Sequence, residues 1–244
     1  MWIHWWGQVS RVLVIANALN VKNVTDDENW KTPILPAFKP AEVDAIVDWV
    51  HAGGSLLLIT DHMPFPGAVA DLAYRFGLVW QNAFAFSADF KFASPKGDPN
   101  MINFRPTAGP SGGIAHPHPV FEGRGPKEAI PFATSFTGSA FRTKSGTDIV
   151  PLFELSAGTM VLYPSASQEQ TPATPNAVAD GLLQGAALEF GEGRVLFMGE
   201  AAMFAARIAE FISPGFKMGM SNPDAPHNKQ FTLNMFHWLS GVLD

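Results

Sequence analysis

A chain of 244 residues, 47% of them hydrophobic, can bury a full core, so disorder is excluded and the length favours one large domain or two small ones. Only 16% of residues are charged and the formal net charge is -6 with no run of Lys or Arg, which leaves no electrostatic footprint for a nucleic acid or an anionic membrane. With no cysteine, disulfides, thiolate metal sites and a cysteine nucleophile are excluded, while the compartment stays open.

The opening residues Met1 to Trp6 lack the basic and apolar regions of a signal peptide. No apolar stretch approaches the roughly 20 residues that span a bilayer, so the chain reads as soluble. Val12 to Ala16 is a continuous β-branched and apolar run, the pattern of a strand buried on both faces in a parallel sheet. Val43, Ile46, Val47 and Val50 then follow i, i+3, i+4, i+7 spacing, with Pro40 suited to the first turn and Gly53-Gly54 to the stop, which predicts an amphipathic helix. Leu56 to Ile59 predicts a second buried strand. Val69, Leu72, Ala73 and Phe76 repeat the helical spacing before Gly77.

This alternation implies parallel strands joined by right-handed crossovers, a doubly wound, mostly parallel α/β sheet with helices on both faces. The region 82–129 is rich in Gly, Pro, Ser and Asn without periodicity and reads as a long loop excursion within a single domain of residues 1–244, as does 164–180. Phe84, Phe86, Phe90 and Phe92 alternate within it and suit either core or a pocket lid. Later strands are expected at Ile149 to Leu155 and Thr159 to Tyr163, with a late β-hairpin of Ala186 to Phe190 and Arg194 to Met198 around Gly191-Glu192-Gly193. A helix is expected over Ala201 to Phe211. Phe231, Met235, Trp238, Leu239 and Val242 form the stripe of a closing helix. Trp2, Trp5 and Trp6 stand unusually close to a first central strand.

In open α/β sheets ligands bind beyond the carboxyl ends of the strands. That rule selects Asp61 and His62, on the turn after Leu56 to Ile59, as acid, base, nucleophile or ligand; the plainer reading is a capping Asp and a hydrogen-bonded His. In His116-Pro117-His118-Pro119 each proline pushes the preceding histidine into extended backbone, so both imidazoles fall on one side. Together with Asp61 or His62 they would suit a divalent metal, or they are exposed residues of a rigid loop. Glu200 ends another strand and would orient a histidine or cap the next helix. Ser111 sits in a formal G-x-S-x-G, Gly109 to Gly113, but no strand leads into it. Arg124 and Asn228 complete the substrate-binding candidates. Phosphate loops and dinucleotide fingerprints are absent, so nucleotide chemistry has no support.

Several strings together resemble a branch of largely uncharacterised bacterial proteins in the class I glutamine amidotransferase-like superfamily, related to trehalose-utilisation-protein-like and GldG-like domains. They are Ala16 to Asn20, Trp49 to Ser55, Asp61 to Pro64, His118-Pro119 with Gly123-Arg124, Phe136 to Gly138, Gly193 to Phe204 and Asn234 to Gly241. The resemblance implies a flavodoxin-like sheet, with Asp61-His62 where amidotransferases carry their cysteine and with Glu200 and His118 as site residues. It argues against glutamine hydrolysis, since the cysteine is missing. It also implies an N-terminally truncated chain, an exported full-length form and an exposed edge that a homodimer would cover. The expected activity is a small hydrolase of an ester or glycosidic bond, in which Asp61, His62, His118 and Glu200 activate water directly or through a metal. Carbohydrate substrates follow only from the resemblance. The alternatives are a non-catalytic module that binds a ligand or partner, and a serine esterase using Ser111.

Overall fold

A computed structural model describes residues 12–25, 30–87, 101–107, 109, 112–210 and 214–244. In chain order its first half holds β1 (Val12–Ala16), α1 (Val21–Thr25), α2 (Pro40–His51), β2 (Ser55–Ile59), α3 (Phe65–Ala68), α4 (Ala70–Arg75), β3 (Leu78–Trp80), β4 (Phe84–Ser87), β5 (Ile102–Arg105), β6 (Gly113–Ala115), α5 (Pro119–Glu122) and β7 (Ala133–Ser135). The second half holds β8 (Phe141–Thr143), β9 (Val150–Leu155), β10 (Thr159–Leu162), β11 (Asn176–Val178), β12 (Leu183–Phe190), β13 (Gly193–Met198), β14 (Ala206–Ile208), β15 (Lys217–Gly219) and α6 (Asn228–Leu239).

The large sheet runs β1-β2-β13-β12-β9-β6-β5-β7, with β8 branching from β12 and β3 from β8. β1, β2 and β13 are mutually parallel and in register, Ala16 beside Ile59 beside Met198. β5 and β6 are also parallel, and the other ladders of this sheet are antiparallel, so the sheet is mixed. β4, β10 and β11 form a smaller sheet.

β2 shows why this sheet is covered on both sides. Successive strand side chains point to opposite faces: Leu56 and Leu58 pack with Val43, Val47 and Val50 of α2 and Leu72 of α4. Leu57 and Ile59 pack instead with Phe231, Met235, Trp238 and Leu239 of α6. Each fully buried aliphatic or aromatic side chain stabilises the fold by about 1.5–3 kcal/mol, which makes β2 and its two helical layers the core of the molecule. The late hairpin forms as expected between β12 and β13, with Glu189 opposite Arg194.

Three expectations change. The apolar run Val12–Ala16 is an edge strand rather than a central one, with Leu13 37% and Val14 44% exposed. The predicted helix over Ala201 to Phe211 is a single 3-10 turn, Ala202–Phe204, followed by β14. The stretch read as a long loop supplies β4, β5, β6 and α5, which are too short for their periodicity to show. Phe84 and Phe86 are buried against Met63 and Leu162; Phe90 and Phe92 lie outside the described residues, as do Trp2, Trp5 and Trp6. Among the described residues no helix is long and apolar enough to cross a membrane.

Candidate functional site

The carboxyl ends of β1, β2 and β13 bring Asn17, Asp61 and Glu200 to one edge. Asn17 adopts φ 49°, a left-handed conformation that Asn tolerates. Its backbone N–H donates to the Ile59 carbonyl at 3.0 Å and its Oδ1 accepts the Asp61 N–H at 2.8 Å. The side chain of one strand end thereby sets the turn of the next. Asp61 Oδ1 accepts the His62 N–H at 2.8 Å, a tight Asx arrangement that holds the carboxylate half-buried at the turn.

His62 Nδ1 lies 2.8 Å from the Met63 carbonyl oxygen. A carbonyl only accepts, so Nδ1 carries the proton and Nε2 of the neutral ring keeps a lone pair. Phe84 stacks under the ring, with centroids 4.3 Å apart and planes 14° from parallel. The Met63 carbonyl also accepts the buried Ser167 hydroxyl at 3.0 Å, so the group that fixes the tautomer is itself fixed.

Glu200 is 1% exposed. Its carboxylate accepts the backbone N–H groups of Ala202 and Met203, the latter at 2.8 Å, and that of Phe136. Burial, followed by the charge of Asp61, pushes the Glu200 carboxyl well above the usual range, and the three backbone donors oppose that shift. Two carboxylates thus face each other electrostatically across neighbouring strands, one half-exposed and one sealed.

The segment Phe136 to Ser139, which sequence reasoning did not single out as a site, closes the back of this edge. Thr137 adopts φ 110°, unusual for a β-branched residue, and Gly138 follows at φ 108°. Gln184 Nε2 donates to the Thr137 and Ser139 carbonyls, and the Ser139 N–H donates to the Gly199 carbonyl at 2.6 Å. Ser139 Oγ donates to the Thr60 carbonyl at 3.1 Å and accepts the Trp80 indole N–H at 2.8 Å. Thr60 Oγ1 and Gln184 Oε1 are buried with no hydrogen-bond partner among the described residues, unused polar capacity beside the two carboxylates. The signal that marks this segment is the Thr-Gly pair at positive φ, which no periodicity reveals.

A cleft of about 810 Å³ opens beside this edge, lined by Trp80, Gln81, Asn82, Tyr163, Thr171 and Thr174 among others, with Glu169 and no basic side chain. Asn82 ties it to the site, since its Oδ1 accepts the Gly67 N–H at 3.2 Å and the neighbouring Ala83 carbonyl accepts the Met63 N–H at 3.0 Å.

The remaining candidates lie elsewhere. His118 packs on Trp238 at 5.1 Å, caps α5 by accepting the Val120 N–H at 3.3 Å, and lines a small pocket with Glu189 and Asp244. Burial and then the Arg194 charge lower it from 6.5 to about 4. Arg194 sits beside Ser55 at the amino end of β13, and Glu200 lies beyond its carboxyl end. Six residues of strand span about 20 Å, so His118 does not join Asp61 and Glu200. His116 bonds through Nε2 to Glu154 at 2.7 Å. Arg124 is exposed and bidentate to Glu128. Asn228 is no substrate ligand: it is fully buried, accepting the Thr134 N–H at 3.0 Å and donating to the Thr134 carbonyl at 2.7 Å. A metal held by His116, His118 and Asp61 does not fit, and among the described residues no three His, Asp or Glu side chains are grouped to hold one. Ser111 lies outside the described residues.

No family model matches the chain, and no curated protein does. Solved structures resemble it at low identity. The mmIFT52 N-terminal domain is 14% identical, with a TM-score of 0.48 over 83% of this chain and 72% of its own. The cytoplasmic protein STM3548 from Salmonella typhimurium is 13% identical, with a TM-score of 0.46 over 94% and 71%. A protein described as ThuA-like from Bacteroides uniformis is 12% identical, with a TM-score of 0.45 over 94% and 69%. The site residues are therefore judged on their own geometry.

Proposed function

We propose that this protein is a small hydrolase of an uncharged ester or glycosidic bond, acting at the shared carboxyl edge of β1, β2 and β13. The observation that carries the reading is the hydrogen bond from His62 Nδ1 to the Met63 carbonyl, which leaves Nε2 as a base at the strand end beside the Asp61 carboxylate. In this reading Nε2 takes a proton from the attacking water, and the Asp61 carboxylate stabilises the imidazolium that results. Glu200, sealed and held by backbone donors, touches no substrate; it keeps its own proton and leaves the negative charge of the pair on Asp61. The absence of basic side chains in the adjoining cleft supports an uncharged substrate, because a phosphate or carboxylate would meet no countercharge there. The strings Asp61 to Pro64 and Gly199 to Phe204 support reading the fold as a flavodoxin-like, amidotransferase-like sheet in which the missing cysteine is replaced by water activation.

The test is a panel of chromogenic esters and glycosides. Asp61→Asn and His62→Ala are each expected to lower turnover at least about a hundredfold, within the range of lost general acid or base catalysis. His118→Ala is expected to retain it. Full activity in both site variants would sink the reading, and no turnover in the wild type, with a ligand raising Tm, would favour a binding module instead.

A further inference from the structure

The histidines displaced from the strand edge gather at a cleft of their own. It encloses about 780 Å³ between β6, α5 and the loop that follows, walled by Ile114, Phe121, Ile130 and Pro131. Its titratable lining is His116, His118, Glu122 and Arg124. Arg124 is already bidentate to Glu128, and His118 accepts a backbone N–H. His116 differs: its Nε2 faces Glu154 Oε2 at 2.7 Å, so the carboxylate takes the Nε2 proton and the neutral ring keeps a lone pair on Nδ1. A carboxylate that orients an imidazole also stabilises it once protonated.

We propose that this cleft binds small phenols, with the aromatic ring against the apolar wall and the hydroxyl on His116 Nδ1. The apolar lining calls for a hydrophobic body, and the one oriented acceptor calls for a weakly acidic donor. Glu122, Glu128 and Glu154 offset Arg124 and His116, so the cleft offers no surplus positive charge to draw an aromatic carboxylate. Proton transfer in the complex is balanced within the pair: the phenol proton moves to His116 Nδ1, leaving a phenolate and an imidazolium held by Glu154. The site is separate from the Asp61 edge and independent of the reading proposed for it.

The probe is p-nitrophenol, added to the full chain in buffer below the phenol's own pKa. The expected result is a saturable rise of the phenolate absorbance in the wild type, about tenfold weaker binding in His116→Gln, and an unchanged signal in Asp61→Asn. Glu154→Gln keeps an acceptor for Nε2 but removes the charge, and is expected to lose the phenolate signal; it decides the matter if His116→Gln melts early. The proposal is overturned by no saturable rise, by an equal rise in both cleft variants, by its loss in Asp61→Asn, or by tighter binding of benzoate in competition.

Discussion

At Gly138 the backbone turns at φ 108° so close to the neighbouring strand end that an added Cβ would sit 2.2 Å from the Gly199 carbonyl oxygen and 2.9 Å from Glu200 Cβ. Backbone cannot yield there without opening the edge that carries Asp61. Gly138→Ala is expected to destabilise the fold by about 3 kcal/mol, a fall in Tm of roughly 10 °C in a thermal melt. A shift of only a degree or two would show the contact to be loose. At His118 the consequence is a pH dependence. Its folded pKa of about 4 lies below the ordinary 6.5, so between those values the unfolded chain binds more protons and stability rises with pH. The stabilisation is complete above pH 6.5 and lost as pH falls toward 4, by up to roughly 3 kcal/mol. His118→Asn keeps an acceptor for the cap but cannot gain the proton. Denaturant melts across this window are expected to show a shallower slope for it than for the wild type.

Among elements, α6 illustrates how a residue that looks like a ligand is consumed by architecture. Asn228 opens the helix and pairs both its amide groups with the backbone of Thr134 in β7, so it extends that strand's hydrogen bonding as another strand would. Asn228→Ala would leave a buried N–H and C=O unmatched, and equilibrium unfolding is expected to register a loss of about 2–3 kcal/mol. Turnover per folded molecule is expected to stay unchanged, since no part of the side chain is free for a substrate. The 3-10 turn after β13 shows the converse. Glu200 satisfies the first backbone donors of Ala202–Phe204 and so combines a cap with a place beside Asp61. From sequence these were alternatives, yet one carboxylate with two oxygens serves both.

For the whole molecule, burial is concentrated where β2, β13 and β12 are sandwiched between α2 and α4 on one face and α6 on the other. β14 and β15 form an isolated two-stranded ribbon, and β14 is exposed along its length. Native-state hydrogen exchange is expected to be slowest in β2 and β13, through global unfolding, and faster in β14 and β15 through local opening. Equal protection in both would contradict a core placed there. The helices α2 and α6, the strand β2 and the late hairpin were legible in the sequence because their signals are local: 3.6-residue spacing, a short apolar run, and glycines at a turn. The position of Asp61 and His62 at a strand end was legible for the same reason. The order of strands was not, because an apolar run looks alike at the edge and at the centre, and only pairing puts Val12–Ala16 at the edge. The companions of Asp61 were likewise decided by tertiary structure. β6 pairs antiparallel to β9 and so carries His116 and His118 away from the carboxyl edge, whereas the parallel register of β2 and β13 sets Glu200 beside Asp61. Strand direction is a property of contacts between residues far apart in the chain, and no local pattern encodes it.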